Sequence, residues 1–168
     1  MAELSLKKLV WSTLILLVLL HQGYFALRVV RSDLLFFDAQ REVVFWGQEE
    51  YRPAAAQIAA VQQRMDKAAE QWPGNPDYLA LQARLQIWQA LTTTDRPQAD
   101  QLFRQAIHSM ELSLRIRPGN PYSWGQYAEY LATQPGRAAD LATAVEKASV
   151  LGKGDSALQK RMQALQPR

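Results

Sequence analysis

Pro73-Gly74-Asn75-Pro76 recurs 45 residues further along the chain as Pro118-Gly119-Asn120-Pro121. Each copy ends one run of apolar residues at helical spacing and precedes another, because proline and glycine interrupt a regular helix. A motif that returns at a fixed spacing is typical of a repeat architecture, and this spacing holds one helix-turn-helix unit. The sequence therefore predicts an all-α fold built as a short stack of antiparallel helix pairs.

Apolar residues at helical spacing extend outward from both turns, and no segment shows the alternation of a strand. Pro53 and the Pro135-Gly136 pair divide the pattern further, and Gly152-Lys153-Gly154 interrupts it once more. Asp155 or Ser156 is expected to cap the last helix. The predicted helices cover residues 32–50, 54–72, 77–93, 98–117, 122–133, 138–151 and 156–165.

The N-terminal segment has the length and composition of a membrane anchor. Residues 9–27 are 19 consecutive uncharged and mostly apolar residues, close to the roughly 20 that a helix needs to cross a bilayer. Trp11 and Tyr24 lie near its ends, where aromatic rings favour the membrane interface. Lys7 and Lys8 precede it as in a secretory signal, but no small-residue cleavage site follows. The pattern predicts an uncleaved, single-pass transmembrane helix.

The orientation of this anchor depends on a nearly equal count of flanking charges. Lys7 and Lys8 precede the segment, and Arg28 and Arg31 follow it. Because the start of the chain has the form of a signal sequence, we expect the N-terminus in the cytoplasm and the body outside it. The predicted organisation is a cytoplasmic N-terminus (1–8), a transmembrane anchor (9–27), a juxtamembrane helix (28–53) and a helical repeat domain (54–168).

The composition argues against several classes of function. From Asp33 onward the chain has 15 basic and 15 acidic residues, so the body lacks the positive charge typical of nucleic-acid-binding domains. There is no cysteine, which excludes disulfides, thiolate metal sites and a cysteine nucleophile. We therefore expect protein partners rather than nucleic acid.

No constellation of residues in the sequence indicates catalysis. His21 and His108 lie in different segments and cannot form a metal pair with each other. The carboxylate neighbours, Asp38 with Glu42 and Glu49 with Glu50, are expected on solvated helix faces, where their pKa values would not separate into an acid and a base. The sequence predicts no catalytic residues, no metal site, no cofactor and no enzymatic activity.

Two segments resemble the second helix of a tetratricopeptide repeat. That family has a small residue, a bulky residue four positions later, a small residue three after that, and a closing proline five further on. The matching positions are Ala106, Met110, Ser113 and Pro118, and, with valine in place of the usual alanine, Val61, Met65, Ala68 and Pro73. The resemblance implies a right-handed stack of helix pairs. The spacing of 45 residues exceeds the family's usual length of about 34, so these pairs are expected to be longer.

The whole arrangement resembles the VpsP-type proteins, small bacterial proteins encoded with exopolysaccharide biosynthesis genes. The features that carry this resemblance are one anchor, a helix that contains residues 34–41, and two repeats in a short chain. It implies an accessory role at the bacterial inner membrane, with the soluble domain in the periplasm and with protein partners in an inner-membrane complex. The leading hypothesis is a non-enzymatic adaptor for exopolysaccharide synthesis or export. The alternatives are an accessory subunit of a pilus or secretion machine and a glycan-binding module that contacts polysaccharide.

Two groups of residues are candidates for contacts with partners. His21 and Gln22 are polar within the anchor, and they either meet water at the outer interface or face another membrane helix. The aromatic residues of the repeats either form the core or line a groove where they contact partners or sugar rings. The candidate partner-binding residues are His21, Gln22, Tyr78, Gln82, Trp88, Tyr122 and Tyr130.

Overall fold

The computed structural model describes residues 2–48, 51–71 and 74–166. Within these ranges the chain is all-helical and has no strand, as the sequence predicts. Trp72, Pro73, Glu49 and Glu50, which entered the expectations above, lie outside the described residues. The seven helices are α1 (Ala2–Phe45), α2 (Ala55–Gln71), α3 (Pro76–Thr92), α4 (Arg96–Ile116), α5 (Pro121–Ala132), α6 (Ala138–Leu151) and α7 (Ser156–Ala164).

The repeated motif starts a helix in the same way in both copies. The side chain of Asn75 accepts a hydrogen bond from the backbone N–H of Asp77 at 2.9 Å, and that of Asn120 accepts one from Tyr122 at 3.0 Å. A proline occupies the start of each following helix, where a missing N–H costs nothing. The asparagine-proline pair therefore caps and starts α3 and α5. Asp155 caps α7 by accepting from Leu158 at 3.0 Å, as expected.

Two helix ends differ from the sequence-based expectation. Helix α1 ends at Phe45 rather than near residue 50, because Gly47 adopts a φ of 83°, a left-handed conformation that ends helices. Helix α4 begins at Arg96 rather than at residue 98, because Pro97 is accommodated in the first turn of a helix. After the end of α1, the next helix is capped by Gln57. Its side-chain oxygen accepts a hydrogen bond from the backbone N–H of Ala54 at 2.8 Å, at the start of α2.

Helix α1 is one continuous element with two different surroundings. From residue 10 to residue 27 its side chains are exposed, and it is long and apolar enough to span a membrane. From residue 28 onward one face of the helix packs against α2 and α3. No break separates the two parts, as the sequence predicts. The polar contacts in the packed part join Arg28 to Gln71, Ser32 to Ala68, and Arg64 to Asp38 and Glu42.

The core has two clusters that meet at α3. Helices that follow one another in the sequence are neighbours in space, and α7 also contacts α5. The first cluster joins α1, α2 and the first half of α3 around Val43, Met65 and Leu85. The second joins α3 to α7 around Met110, Leu131 and Met162. Because α3 belongs to both clusters, its remaining surface lies between them, and that surface carries the groove described next.

Candidate partner-binding groove

One face of α3 and one face of α5 form the walls of an open groove. On α3, Arg84, Ile87, Trp88 and Leu91 occupy positions i, i+3, i+4 and i+7, so they share a face. Tyr122, Gln126, Glu129 and Tyr130 share a face of α5 for the same reason. Arg161 of α7 closes one side. These nine residues line a cavity of about 450 Å³.

The groove has aromatic and aliphatic walls whose exposure differs from residue to residue. Tyr122 is 59% exposed and Leu91 is 61% exposed, so both present apolar surface to a ligand. The hydroxyl of Tyr122 donates to Asp155 at 2.8 Å, which fixes the ring against the start of α7. Trp88 packs edge-on against Trp46 of the α1–α2 connection, with ring centroids 6.0 Å apart. The rings are therefore held in place before any ligand arrives.

Tyr130 forms the inner part of the groove. Burial raises the pKa of its hydroxyl to about 12, although the hydrogen bond from Gln126 and the positive charge of Arg84 both lower that pKa. Its hydroxyl accepts a hydrogen bond from the Gln126 amide. The phenol is thus neutral at physiological pH, and it serves as a polar group at the inner end of an apolar wall.

The charges in the groove do not balance. Arg161 donates from Nε and Nη2 to Glu129 at 2.9 and 2.6 Å, so these two charges compensate each other and link α7 to α5. Arg84 has no ion-pair partner among residues 2–48, 51–71 and 74–166. One positive charge therefore remains beside Tyr130 and Trp88. The groove is suited to a ligand that combines apolar surface with a negative group.

Trp88 also borders a second cavity, on the side of the α1–α2 connection. This cavity, of about 610 Å³, is lined by Gly47, Tyr51, Arg52, Trp88, Leu91 and Thr92. A Cβ at Gly47 would lie 3.3 Å from the Trp88 ring, so the connection passes close to the indole. Trp88 and Leu91 thus form a wall shared by the two cavities.

The structure brings three of the candidate residues together and places the other four elsewhere. Trp88, Tyr122 and Tyr130 line the groove. His21 and Gln22 are exposed on the apolar part of α1. Tyr78 is 4% exposed, stacks on Phe36 and is bonded to Ser32, and burial raises the pKa of its hydroxyl. Its side chain therefore packs inside the chain and does not reach the groove.

Gln82 is also engaged within the chain. Its amide exchanges hydrogen bonds with Gln62 of α2, at 2.9 and 3.0 Å. Such a reciprocal pair satisfies one donor and one acceptor of each amide and joins α2 to α3. Gln82 thus lies on the side of α3 that packs against α2, away from the groove.

Four polar residues of the groove were not predicted from the sequence: Arg84, Gln126, Glu129 and Arg161. Two of them could have been predicted from helical spacing. Arg84 lies one helical turn before Trp88, and Gln126 lies one turn before Tyr130, so helical spacing alone places each pair on one face. Glu129 and Arg161 come together only because α7 folds back onto α5. No local pattern predicts that contact.

The described part of the chain contains no group of three or more His, Cys, Asp or Glu side chains arranged to hold a metal ion. Comparison with known proteins does not add to this picture. No family model matches the chain, and neither the curated proteins nor the solved structures give a match.

Proposed function

We propose that this chain is a non-enzymatic, membrane-anchored adaptor that holds a protein partner in the groove between α3 and α5. The observation that carries the proposal is the groove itself: preorganised aromatic rings, exposed aliphatic surface and one unpaired arginine. Residues 9–27 cross the bacterial inner membrane, and the body extends into the periplasm. The first part of α1 is long and apolar enough to cross a membrane, which supports the anchor, and the proposed orientation rests on Lys7 and Lys8 before the apolar segment.

The body is a stack of helix pairs of the tetratricopeptide type. Contacts between α1 and α2 run in opposite order along the two helices, from Arg28 with Gln71 to Arg64 with Glu42, which supports an antiparallel pair. The small and bulky positions of the family resemblance, which lie within the helices, are all at most 2% exposed, as close helix packing requires, whereas the closing Pro118 is exposed in the turn. Those positions are Val61, Met65, Ala68, Ala106, Met110 and Ser113.

We propose that this adaptor belongs to the envelope assembly for exopolysaccharide synthesis or export. This part of the proposal rests on the resemblance to VpsP-type proteins. The groove provides a reason for a second candidate function, glycan binding, because sugar rings stack on exposed aromatic faces and Tyr122 offers such a face. The unpaired Arg84 would then select sugars that bear a carboxylate.

Charge reversal at Arg84 tests the adaptor function. We expect Arg84→Glu, in the full chain purified from native membranes, to reduce the recovery of co-purifying protein about tenfold, because a central charged contact is worth roughly 1–2 kcal/mol. Arg104→Glu, at an exposed position of α4 outside the groove, is the matched control and should leave recovery unchanged. Equal recovery from both variants would remove the groove from the proposal.

The same pair of variants tests the glycan alternative. Titration of acidic and neutral oligosaccharides against the purified chain, followed by tryptophan fluorescence, should reveal saturable binding that Arg84→Glu abolishes for acidic sugars. Binding that is identical in wild type and Arg84→Glu, or no binding at all, would leave the protein-partner function as the one that the groove serves.

A further inference from the structure

Beyond residue 27, helix α1 has a second apolar face that nothing in the described chain covers. One face packs against α2 through Ala39 and Val43. On the other face, Val30, Leu34, Phe37 and Val44 are 43–65% exposed. Soluble surfaces rarely expose a contiguous run of large apolar side chains unless it is an interaction site. We call the set of Leu27, Val30, Leu34, Phe37, Arg41 and Val44 the outer stripe.

The spacing of the outer stripe indicates what covers it. Its positions alternate steps of three and four residues, the spacing with which one helix faces a second helix in a left-handed coiled coil. Because the stripe lies on a helix that continues directly from the proposed membrane anchor, a flat lipid surface cannot cover it along its length. The partner is therefore a helix that runs alongside α1.

Gly23 provides a second, independent observation in the same register. It lies four residues before Leu27, so it extends the outer stripe into residues 9–27 of the proposed membrane anchor. A Cβ at Gly23 would meet no atom within 4 Å, so packing within the chain does not require glycine there. Glycine weakens a helix, whereas at an interface between membrane helices it lets two backbones approach closely. The outer stripe thus continues from the body into the proposed anchor.

We infer that two copies of this chain pair in parallel along the outer stripe of α1. A partner helix must begin in the same membrane and extend beyond it by the same length, and a second copy meets both conditions. In a two-fold pair Gly23 faces Gly23, Leu34 faces Leu34 and Phe37 faces Phe37. The seam between Gly23 and Val44 is about 30 Å long, enough for three heptads.

The charges on this surface are compatible with self-association. Arg41 is the only charged residue of the outer stripe, and its guanidinium lies 3.4 Å from the carboxylate of Asp38 in the same helix. Asp38 also pairs with Arg64, which pairs with Glu42 as well, so each copy carries two carboxylates for these two arginines, and the two Arg41 side chains that face each other belong to locally neutral clusters. A polar residue at one seam position is also the usual device that fixes the register of a coiled coil. His21 and Gln22 lie off the seam and remain available for other contacts.

Single cysteines test this inference directly, because the chain has none of its own. We expect Leu34→Cys and Phe37→Cys, in the full chain in native membranes under mild oxidation, to form a disulfide-linked species of twice the 19.1 kDa chain mass. Gln40→Cys beside the stripe and Gln63→Cys on the exposed side of α2 are matched controls, and their yields should be about fivefold lower. Cross-linked species of any other mass, or yields equal to those of the controls, would overturn pairing of two copies.

A variant at Gly23 tests the part of the seam that rests on the proposed anchor. In the Phe37→Cys background, Gly23→Leu should lower the cross-linking yield about fivefold, although leucine favours helix formation. Extraction of membranes with carbonate, which retains only inserted proteins, checks the anchor separately. An inserted Gly23→Leu variant with an unchanged yield would show that the anchor does not take part in the seam.

Discussion

At the scale of single residues, one polar cluster joins three helices. Tyr127 of α5 is 7% exposed, and its hydroxyl donates to Glu111 of α4 at 2.9 Å. Arg137, which precedes α6, contacts the same carboxylate at 3.1 Å and also pairs with Asp140. Burial and, to a lesser extent, Glu111 raise the pKa of Tyr127 to about 12. The three groups fix the order in which α4, α5 and α6 pack.

The raised pKa predicts how stability depends on pH. In the unfolded chain a tyrosine ionises near its ordinary pKa of 10.0, whereas Tyr127 in the folded chain resists ionisation up to about 12. Its contribution is therefore complete below pH 10 and is lost as the pH rises from 10 through 12. We expect Tyr127→Phe to lower the free energy of unfolding by about 1 kcal/mol at neutral pH and to make stability fall less steeply above pH 10.

Urea unfolding of the detergent-solubilised chain at a series of pH values measures this difference. Tyr130, whose pKa burial also raises to about 12, is present in both proteins, so the difference between the two curves reports Tyr127 alone. Parallel curves for wild type and Tyr127→Phe between pH 9 and about 12 would contradict the assignment.

At the scale of elements, helix boundaries follow from local chemistry where capping residues are strong. The Asn-Pro pairs at residues 75–76 and 120–121 and Asp155 set three helix starts, and all three could be predicted from the sequence to within one or two residues. The end of α1 could not, because it depends on a left-handed Gly47 that no periodic pattern reveals. Pro53, expected to end that helix, instead lies in the connection before α2.

The groove illustrates a different limit of sequence reasoning. Aromatic residues on α3 and α5 could be named as candidates because aromatic residues cluster in the repeats. Tyr78 is also an aromatic residue of the repeats and was a candidate for the same reason, yet it is buried against Phe36. Which face of a helix remains open depends on how neighbouring helices pack: α1 covers Tyr78 on α3, whereas α7 folds back onto α5 beside the groove.

The contact between α4 and its neighbours provides a test at this scale. Ala106 is fully buried and lies at the small-residue position of the repeat resemblance. We expect Ala106→Trp to overpack the interface and to lower the free energy of unfolding by about 1–3 kcal/mol. Gln105→Trp, at the adjacent exposed position, is the control and should change stability by less than about 0.5 kcal/mol. Thermal unfolding that is the same in both variants would mean that the repeat register is wrong.

At the scale of the whole molecule, one helix links two environments. Helix α1 has 44 residues, about 66 Å at 1.5 Å per residue, which is roughly twice the thickness of a bilayer core. Residues 10–27 of this helix are mostly apolar and exposed, and its second part packs on α2 and is tied to it by Arg28, Ser32 and Asp38. The body is therefore attached to the anchor through a continuous helix without a flexible linker. In the proposed adaptor, this continuous helix would hold the groove at a fixed height above the membrane.

The orientation of that helix is the last prediction. Because Lys7 and Lys8 precede the apolar segment in the manner of a signal sequence, we expect residues 33–168 to lie outside the cytoplasm. A reporter enzyme that is active only in the periplasm, fused after Arg168, should be active, and a reporter that is active only in the cytoplasm should not. Replacement of both lysines with glutamate is the informative variant, since Arg28 and Arg31 would then be the only flanking cations near the segment and should draw the body inward. Cytoplasmic reporter activity from the wild-type chain would reverse the assignment and place the groove in the cytoplasm.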